Sequence, residues 1–297
     1  MFRDKDYLLT KDGLIFNVLG DQHEGGHVTA GLKYTKEGKW IDSYRDATHY
    51  LRDHYPAYVK EKIVVPLDQI EKHLKPLQRT RQLLNSTEEL APRHRIALEL
   101  IDVLAECCRI PPFEVGITDS LLWGEGNPQS DIDLVLYGSE VISDFQLKSK
   151  ELFQFDDLEP IDPSFVQRPP DVDDATFETM LKRKANQGYF RGTRFSIRGA
   201  LTDEEVLWSS ERREPFQPVE SQRRELEIGN CDDSLLFPVQ YETSEGLPLV
   251  SYHIGYEMSF QPGDKVEVAG TLERSGDDQR LLVGSIRGEQ ESIRLVR

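Results

Sequence analysis

The sequence predicts a mixed α/β (α+β) fold in three parts, and three observations predict it. The chain has 297 residues, longer than one ordinary small domain. Its first two-thirds alternate short apolar runs with stretches of helical periodicity. From about Glu211 the composition shifts to polar residues and then to short alternating runs punctuated by turns. These divide the chain into an N-terminal α/β extension over 1–84, a central α/β core over 85–208 and a small β-barrel-like domain over 209–297.

In the first part, Leu14–Leu19 and Val28–Tyr34 read as strands around a turn bearing glycine and histidine, with a helix near Ala47–Tyr58. A longer helix is expected from Pro66 or Leu67 to Leu84, because Ile70, Leu74, Leu77 and Leu83 recur at helical spacing. Ser86, with Glu89 three residues later, reads as the cap of the next helix, which runs to Cys108 and stops before Pro111-Pro112. Phe113–Gly116 reads as a strand, Ser120–Gly124 as a helical turn, Asp131–Tyr137 as an apolar strand and Ser143–Phe153 as a helix. The acidic, proline-rich stretch Asp156–Asp171 reads as a loop. Asp173–Gln187, acidic at its start and basic at its end, suits a helix dipole, and Phe195–Gly199 reads as a strand. The last part offers five short strands: Leu235–Tyr241, Leu249–Glu257, Lys265–Leu272, Arg280–Ser285 and Glu291–Val296.

Composition narrows the classes of function. Hydrophobic residues at 38% are enough to bury cores, so wholesale disorder is excluded. A net charge of −17 argues against a general nucleic-acid coat or a binder of anionic membranes, while leaving room for a local basic groove. Cys107, Cys108 and Cys231 form neither a paired framework nor a metal-ligand spacing. No run approaches the roughly 20 apolar residues of a membrane helix, and Met1–Asp6 lacks the apolar centre of a signal peptide. The expectation is a cytoplasmic protein with no membrane partner.

The chemistry concentrates between Gly116 and Gly138. Asp131 and Asp133 are one residue apart in a strand, so the two-residue side-chain period places both carboxylates on one face. Ile132, Leu134 and Leu136 take the other, buried parity. Two carboxylates about 7 Å apart along a strand can converge on hard cations, and Mg²⁺ completes such a set with water and phosphate oxygens. Upstream, Thr118–Ser120 lies where a strand turns into a helix, a place where backbone N–H groups and a helix dipole favour an anion.

With Gly116-Ile-Thr-Asp-Ser-Leu-Leu-Trp-Gly124 followed by Ser130-Asp-Ile-Asp-Leu-Val-Leu-Tyr-Gly138, this stretch resembles the signature of the DNA polymerase beta-type nucleotidyltransferase superfamily. Its wording is most similar to an archaeal nucleotidyltransferase family of unassigned substrate. The resemblance covers about 85 residues and implies a nucleotidyltransferase core. It also implies Mg²⁺ (or Mn²⁺) at Asp131 and Asp133, and a nucleotide triphosphate such as ATP contacted by Gly116, Thr118, Ser120 and Ser130. The sequence departs from the family pattern twice. Asp119 stands where a glycine usually precedes the serine, and Ser196, in Phe195-Ser196-Ile197, stands where a third carboxylate is expected, with Asp203 and Glu204 as substitutes.

A basic cluster, Lys182, Arg183, Lys184, Arg191, Arg194 and Arg198, contains no acid. Arg191, Arg194 and Arg198 are candidates to clamp triphosphate, and Tyr189 and Phe190 to stack on a base. His23-Glu24-Gly25-Gly26-His27 matches a zinc-protease pattern in letters only, since two glycines disfavour the helix that the chemistry needs. The C-terminal strands admit an oligonucleotide-binding reading, against which stand Asp232, Asp233, Asp277 and Asp278, with Tyr241, Tyr252, Tyr256 and Phe260 as either stacking or core residues.

The sequence therefore leads to an expected metal-dependent enzyme that moves a nucleoside monophosphate from a triphosphate to an acceptor hydroxyl on RNA, a protein or a small molecule, releasing pyrophosphate. Two rivals stand beside it: a non-catalytic nucleotide- or RNA-binding protein that keeps the fold, and a toxin-like transferase acting on tRNA or a partner protein.

Overall fold

A computed structural model describes residues 1–297 apart from 22, 24, 128, 210–215, 285–290 and 297. Glu24 of the histidine pattern, the composition change at Glu211 and the strand end at Ser285 lie outside the described residues. Among the described residues there are seven α-helices and three sheets, an α+β architecture with three large hydrophobic cores and a small fourth cluster around Tyr137.

The N-terminal sheet is antiparallel throughout. It comprises β1 (Tyr7–Thr10), β2 (Ile15–Val18), β3 (His27–Thr35), β4 (Gly38–Lys39), β5 (Val64–Pro66) and β6 (Ile70–Leu74). Their order is β4-β3-β2-β1-β6, with β5 on the far part of β3. Helix α1 (Tyr44–His54), capped by Ser43, lays Ala47 and Leu51 on the sheet face formed by Leu8, Phe16, Val18, Ala30 and Leu32. The alternate parity, Tyr7, Asn17 and Gly31, lines up across β1, β2 and β3 and faces away from that core. The single helix expected up to Leu84 is instead β6 followed by α2 (Pro76–Leu84). Ile70–Leu74 pairs with β1, and Pro76, at the first turn, starts the helix afresh.

Helix α3 (Pro92–Cys108) starts at its own proline rather than at a Ser86 cap; Ala91 is the cap residue and Ser86 stays in the preceding turn. It buries Ala97, Leu100, Ile101, Leu104 and Cys108. The central sheet follows with β7 (Val115–Ile117), α4 (Ser120–Trp123), β8 (Ile132–Tyr137), α5 (Ser139–Lys148), β9 (Leu158–Pro160), α6 (Asp174–Arg183), β10 (Gln187–Phe190), β11 (Thr193–Ala200) and α7 (Asp203–Ser209). The strand order is β7-β8-β11-β10-β9, parallel only between β8 and β11.

Several expected limits move. Phe113 falls in a 3₁₀ turn before β7, and α5 begins four residues before Ser143. The stretch expected as a loop contains β9, and α6 ends at Arg183 because Gln187 already pairs with Ser196. One face of the sheet, carrying Ile132, Leu134, Leu136, Phe195 and Ile197, is buried against α3 and α5. The other face carries Asp133, Val135, Ser196 and Arg198. Helix α2 covers its β7 end, where Thr80 Oγ1 accepts from Ile117 N at 2.9 Å.

The last third contains β12 (Gln217–Asn230), β13 (Val239–Thr243), β14 (Leu249–Ser251), β15 (Lys265–Ser275), β16 (Asp278–Val283) and β17 (Ser292–Leu295). Pairings run β12-β13-β14-β16-β15, with β12 also on β15 and β17 on its other edge. The polar residues from Gln217 to Glu227, not expected as a strand, belong to β12; their side chains are mostly exposed and their backbone pairs with β15. Tyr241, Tyr256 and Phe260 are core, as is Met180 of α6, which packs among these strands.

Candidate functional site

The sheet positions Asp133 by register. On β8 it lies opposite Ser196 of β11, whose hydroxyl donates to Asp133 Oδ1 at 2.5 Å. Its neighbour Asp131 precedes the strand, on the same parity, beside Arg194, with which it forms an ion pair. The Arg194 guanidinium also lies over the Phe165 ring, 4.9 Å from its centroid. Thus one carboxylate is tied at the rim, while the other faces inward.

Asp133 faces a cavity of about 240 Å³. Thr118, Asp119, Ser196 and Arg198 form its floor, and Phe237 and Ile254 of the C-terminal part close one side. Thr118 holds the β7–β8 ladder through its N–H to Asp133 O, 3.0 Å, but its Oγ1 is buried with no hydrogen-bond partner. Such an orphan hydroxyl costs free energy unless something in the cavity bonds it. Asp119 has φ +51° and ψ −139°, a conformation suited to glycine. This is the position where the resemblance leads one to expect glycine, and the backbone takes the glycine-like shape with an aspartate in place. Its carboxylate lies near the buried Tyr7 phenol, whose pKa is raised by burial first and then by the Asp119 charge. Burial, then the Asp119 charge, lifts the Asp133 carboxyl to about 6, against the lowering effect of the Ser196 bond.

The remaining expected residues are placed as follows. Gly116 packs under α2, where a Cβ would come within 2.5 Å of Pro76 Cβ, so it serves close packing and does not line the cavity. Ser120 begins α4, a single turn of four residues, so the dipole of a full helix expected behind the Thr118 turn is absent. Ser130 Oγ accepts from Asn127 N in the loop before β8. Arg191 pairs with Glu99 and Asp157 in a separate acidic groove, and Phe190 is core. Arg198 lines the cavity and pairs with the buried Glu257 at 2.9 Å.

Much of the basic cluster is engaged in holding the C-terminal part. Arg183 bridges to Asp264, and Lys184 Nζ donates to Glu257 O at 2.7 Å. Asp203, considered as a substitute acid, pairs with Arg3 outside the cavity; Glu204 is exposed. His23 and His27 sit around the β2–β3 turn, bonding backbone groups of Phe2, Thr29 and Gly25.

Sequence reading missed the side of the cavity made by the N-terminal sheet: Lys5, Tyr7, Asn17 and Lys33. The period-two row Tyr7, Asn17, Gly31 carried the signal, but pairing registers are needed to see that it forms one face.

Among the described residues, no group of three or more His, Cys, Asp or Glu side chains is arranged to hold a metal ion. Asp133 and Asp119 offer two carboxylates to one cavity, a set Mg²⁺ accepts when water and phosphate oxygens complete it. Comparison with family models, with curated proteins and with solved structures returned no match to this chain.

Proposed function

We propose that the protein is a metal-dependent nucleotidyltransferase acting in the cavity beneath Asp133. One observation carries this reading: a strand carboxylate, a threonine with an orphan hydroxyl and a guanidinium (Asp133, Thr118 and Arg198) line one partly open cavity beside a glycine-like turn. The mixed sheet, with β7 antiparallel and β11 parallel to the Asp133 strand, also supports the reading, as does the motif resemblance.

In this mechanism Asp133 would hold Mg²⁺ (or Mn²⁺), with Asp119 or Asp131 as the second carboxylate. When bound, the ion supplies charge neutralisation along the phosphates. Thr118 Oγ1 donates to a phosphate oxygen, and Arg198 faces the negative charge that builds on the leaving group. Ser196 fixes the orientation of Asp133. An acceptor hydroxyl attacks the α-phosphorus and loses its proton to water; the new P–O bond forms as the α–β bridge breaks and pyrophosphate leaves. At about 240 Å³ the cavity is below the usual size of a small-molecule site. It suits a phosphate chain, with the nucleoside outside.

A second reading, nucleotide or RNA binding without transfer, is favoured by the serine opposite Asp133 and by the Arg194 tie on Asp131. We read the ring of C-terminal pairings as a small β-barrel, which under this second reading offers a surface for RNA. Labelled triphosphates, Mg²⁺ and cellular RNA or protein separate the two. Pyrophosphate release should fall about a hundredfold or more in Asp133→Asn. Nucleotide binding with no release by the unaltered protein would instead establish the second reading.

A further inference from the structure

The N-terminal sheet is two-sided, and its second side does not face open water. Leu8, Phe16 and Ala30 face α1, so Tyr7, Asn17 and Gly31 take the opposite face by strand parity. Lys5, in the turn before β1, and Lys33, at the register shift between β2 and β3, both line the Asp133 cavity. The short helix α4 is clasped by the same sheet: the Trp123 ring lies 5.0 Å from Tyr7 and 5.2 Å from Tyr34, centroid to centroid.

The cations around the cavity differ in how far they are committed. Lys5 Nζ pairs with Asp4 at 2.6 Å and lies over the Phe237 ring. Arg198 pairs with Glu257. Lys33 makes no side-chain hydrogen bond, ion pair or ring contact with any described residue, although it is half-buried. Its ammonium is thus uncommitted beside the cavity and available to an anionic ligand. Thr118, whose buried hydroxyl is also without a partner, lines the same cavity. An uncommitted ammonium and an unpartnered hydroxyl in the lining of one cavity that also carries Asp119 and Asp133 suit a metal-bound polyphosphate.

We propose that Lys33 binds the phosphate chain of the nucleotide from above, making the N-terminal sheet part of the substrate site. The proposal rests on the nucleotidyltransferase reading and adds to it the contact that closes over the phosphates. Gly31 is consistent with this role: a Cβ there would come within 2.8 Å of Asn17 Oδ1, so the wall beside Lys33 is left without a side chain.

Calorimetric titration of the full chain with Mg²⁺–ATP and with Mg²⁺–tripolyphosphate, in Lys33→Met, Lys33→Arg and Asp133→Asn, tests it. Lys33→Met should weaken both ligands by the same factor, about tenfold or more, and Lys33→Arg should restore most of the loss. Unchanged circular dichroism and melting temperature establish that Lys33→Met is folded. If Lys33→Met binds both ligands within about twofold of the unaltered protein while Asp133→Asn does not, the Lys33 contact is overturned and the transferase reading survives. If Lys33→Met loses binding while Asp133→Asn retains it, the anion site stands and the metal-dependent reading fails. No binding by the unaltered protein overturns both.

Discussion

Asp119 is the residue at which local conformation and chemistry disagree most. A side chain at φ +51° and ψ −139° is strained by roughly 1–3 kcal/mol, and it adds negative charge next to Asp133, whose carboxyl is already raised by burial. Replacing it separates the two effects. Asp119→Ala and Asp119→Gly both remove the carboxylate from beside Tyr7, but only glycine relieves the backbone. In chemical denaturation the glycine variant should therefore be the more stable of the two by roughly 1–3 kcal/mol. Equal stabilities would show that the turn relaxes around any residue. At the same scale, Lys184 is held down to about 8 by burial, against an ordinary 10.5. Between these values the unfolded chain binds more protons than the folded one. Stability from this residue therefore rises with pH across about 8 to 10.5, and its cost is fully present below about 8. Lys184→Met should lack that rise, read as the difference in unfolding free energy between the two proteins at pH 7.5 and at pH 10.

Among elements, α3 carries more of the central core than any sequence motif indicates. Leu100 and Leu104 are fully buried, so Leu104→Ala should cost about 2–5 kcal/mol. Val219→Ala, on the exposed length of β12, should stay within about 0.5 kcal/mol; the pair of denaturation midpoints checks both. The difference between these elements also explains what was legible in the sequence. The strand through Asp133 was readable because one parity is continuously apolar, and α3 because its apolar residues recur at helical spacing. β12 was not, since most of its side chains face water and most of its length pairs with β15, which is distant in sequence. β6 was misread because Ile70, Leu74 and Leu77 keep helical spacing across a boundary set by Pro76. At the site, the pairing of Asp133 with Ser196 followed from strand identity. The cavity wall contributed by Lys33 depended on the register of three strands, which periodicity alone does not encode.

At the scale of the whole molecule, buried polar ties join the parts. Arg3 reaches Asp203, Leu201 O and the Tyr137 ring from the N-terminal side. Arg198 and Asn186 of the central part converge on Glu257, which is 2% exposed. Glu257→Ala strips the carboxylate from a guanidinium that is 25% exposed and should cost about 1–3 kcal/mol in chemical denaturation; no measurable loss would mean that water replaces the carboxylate. Glu257 has a second consequence. Its carboxylate is an anion already seated on Arg198, permanently tethered and so present at high effective concentration. A phosphate drawn to that guanidinium meets an internal competitor, and whatever it gains at Arg198 is subtracted from the grip on the last third of the chain. If the cavity binds phosphate as proposed, occupancy and attachment are reciprocal: ligand would loosen that tie, and severing the tie would tighten ligand, by one and the same factor.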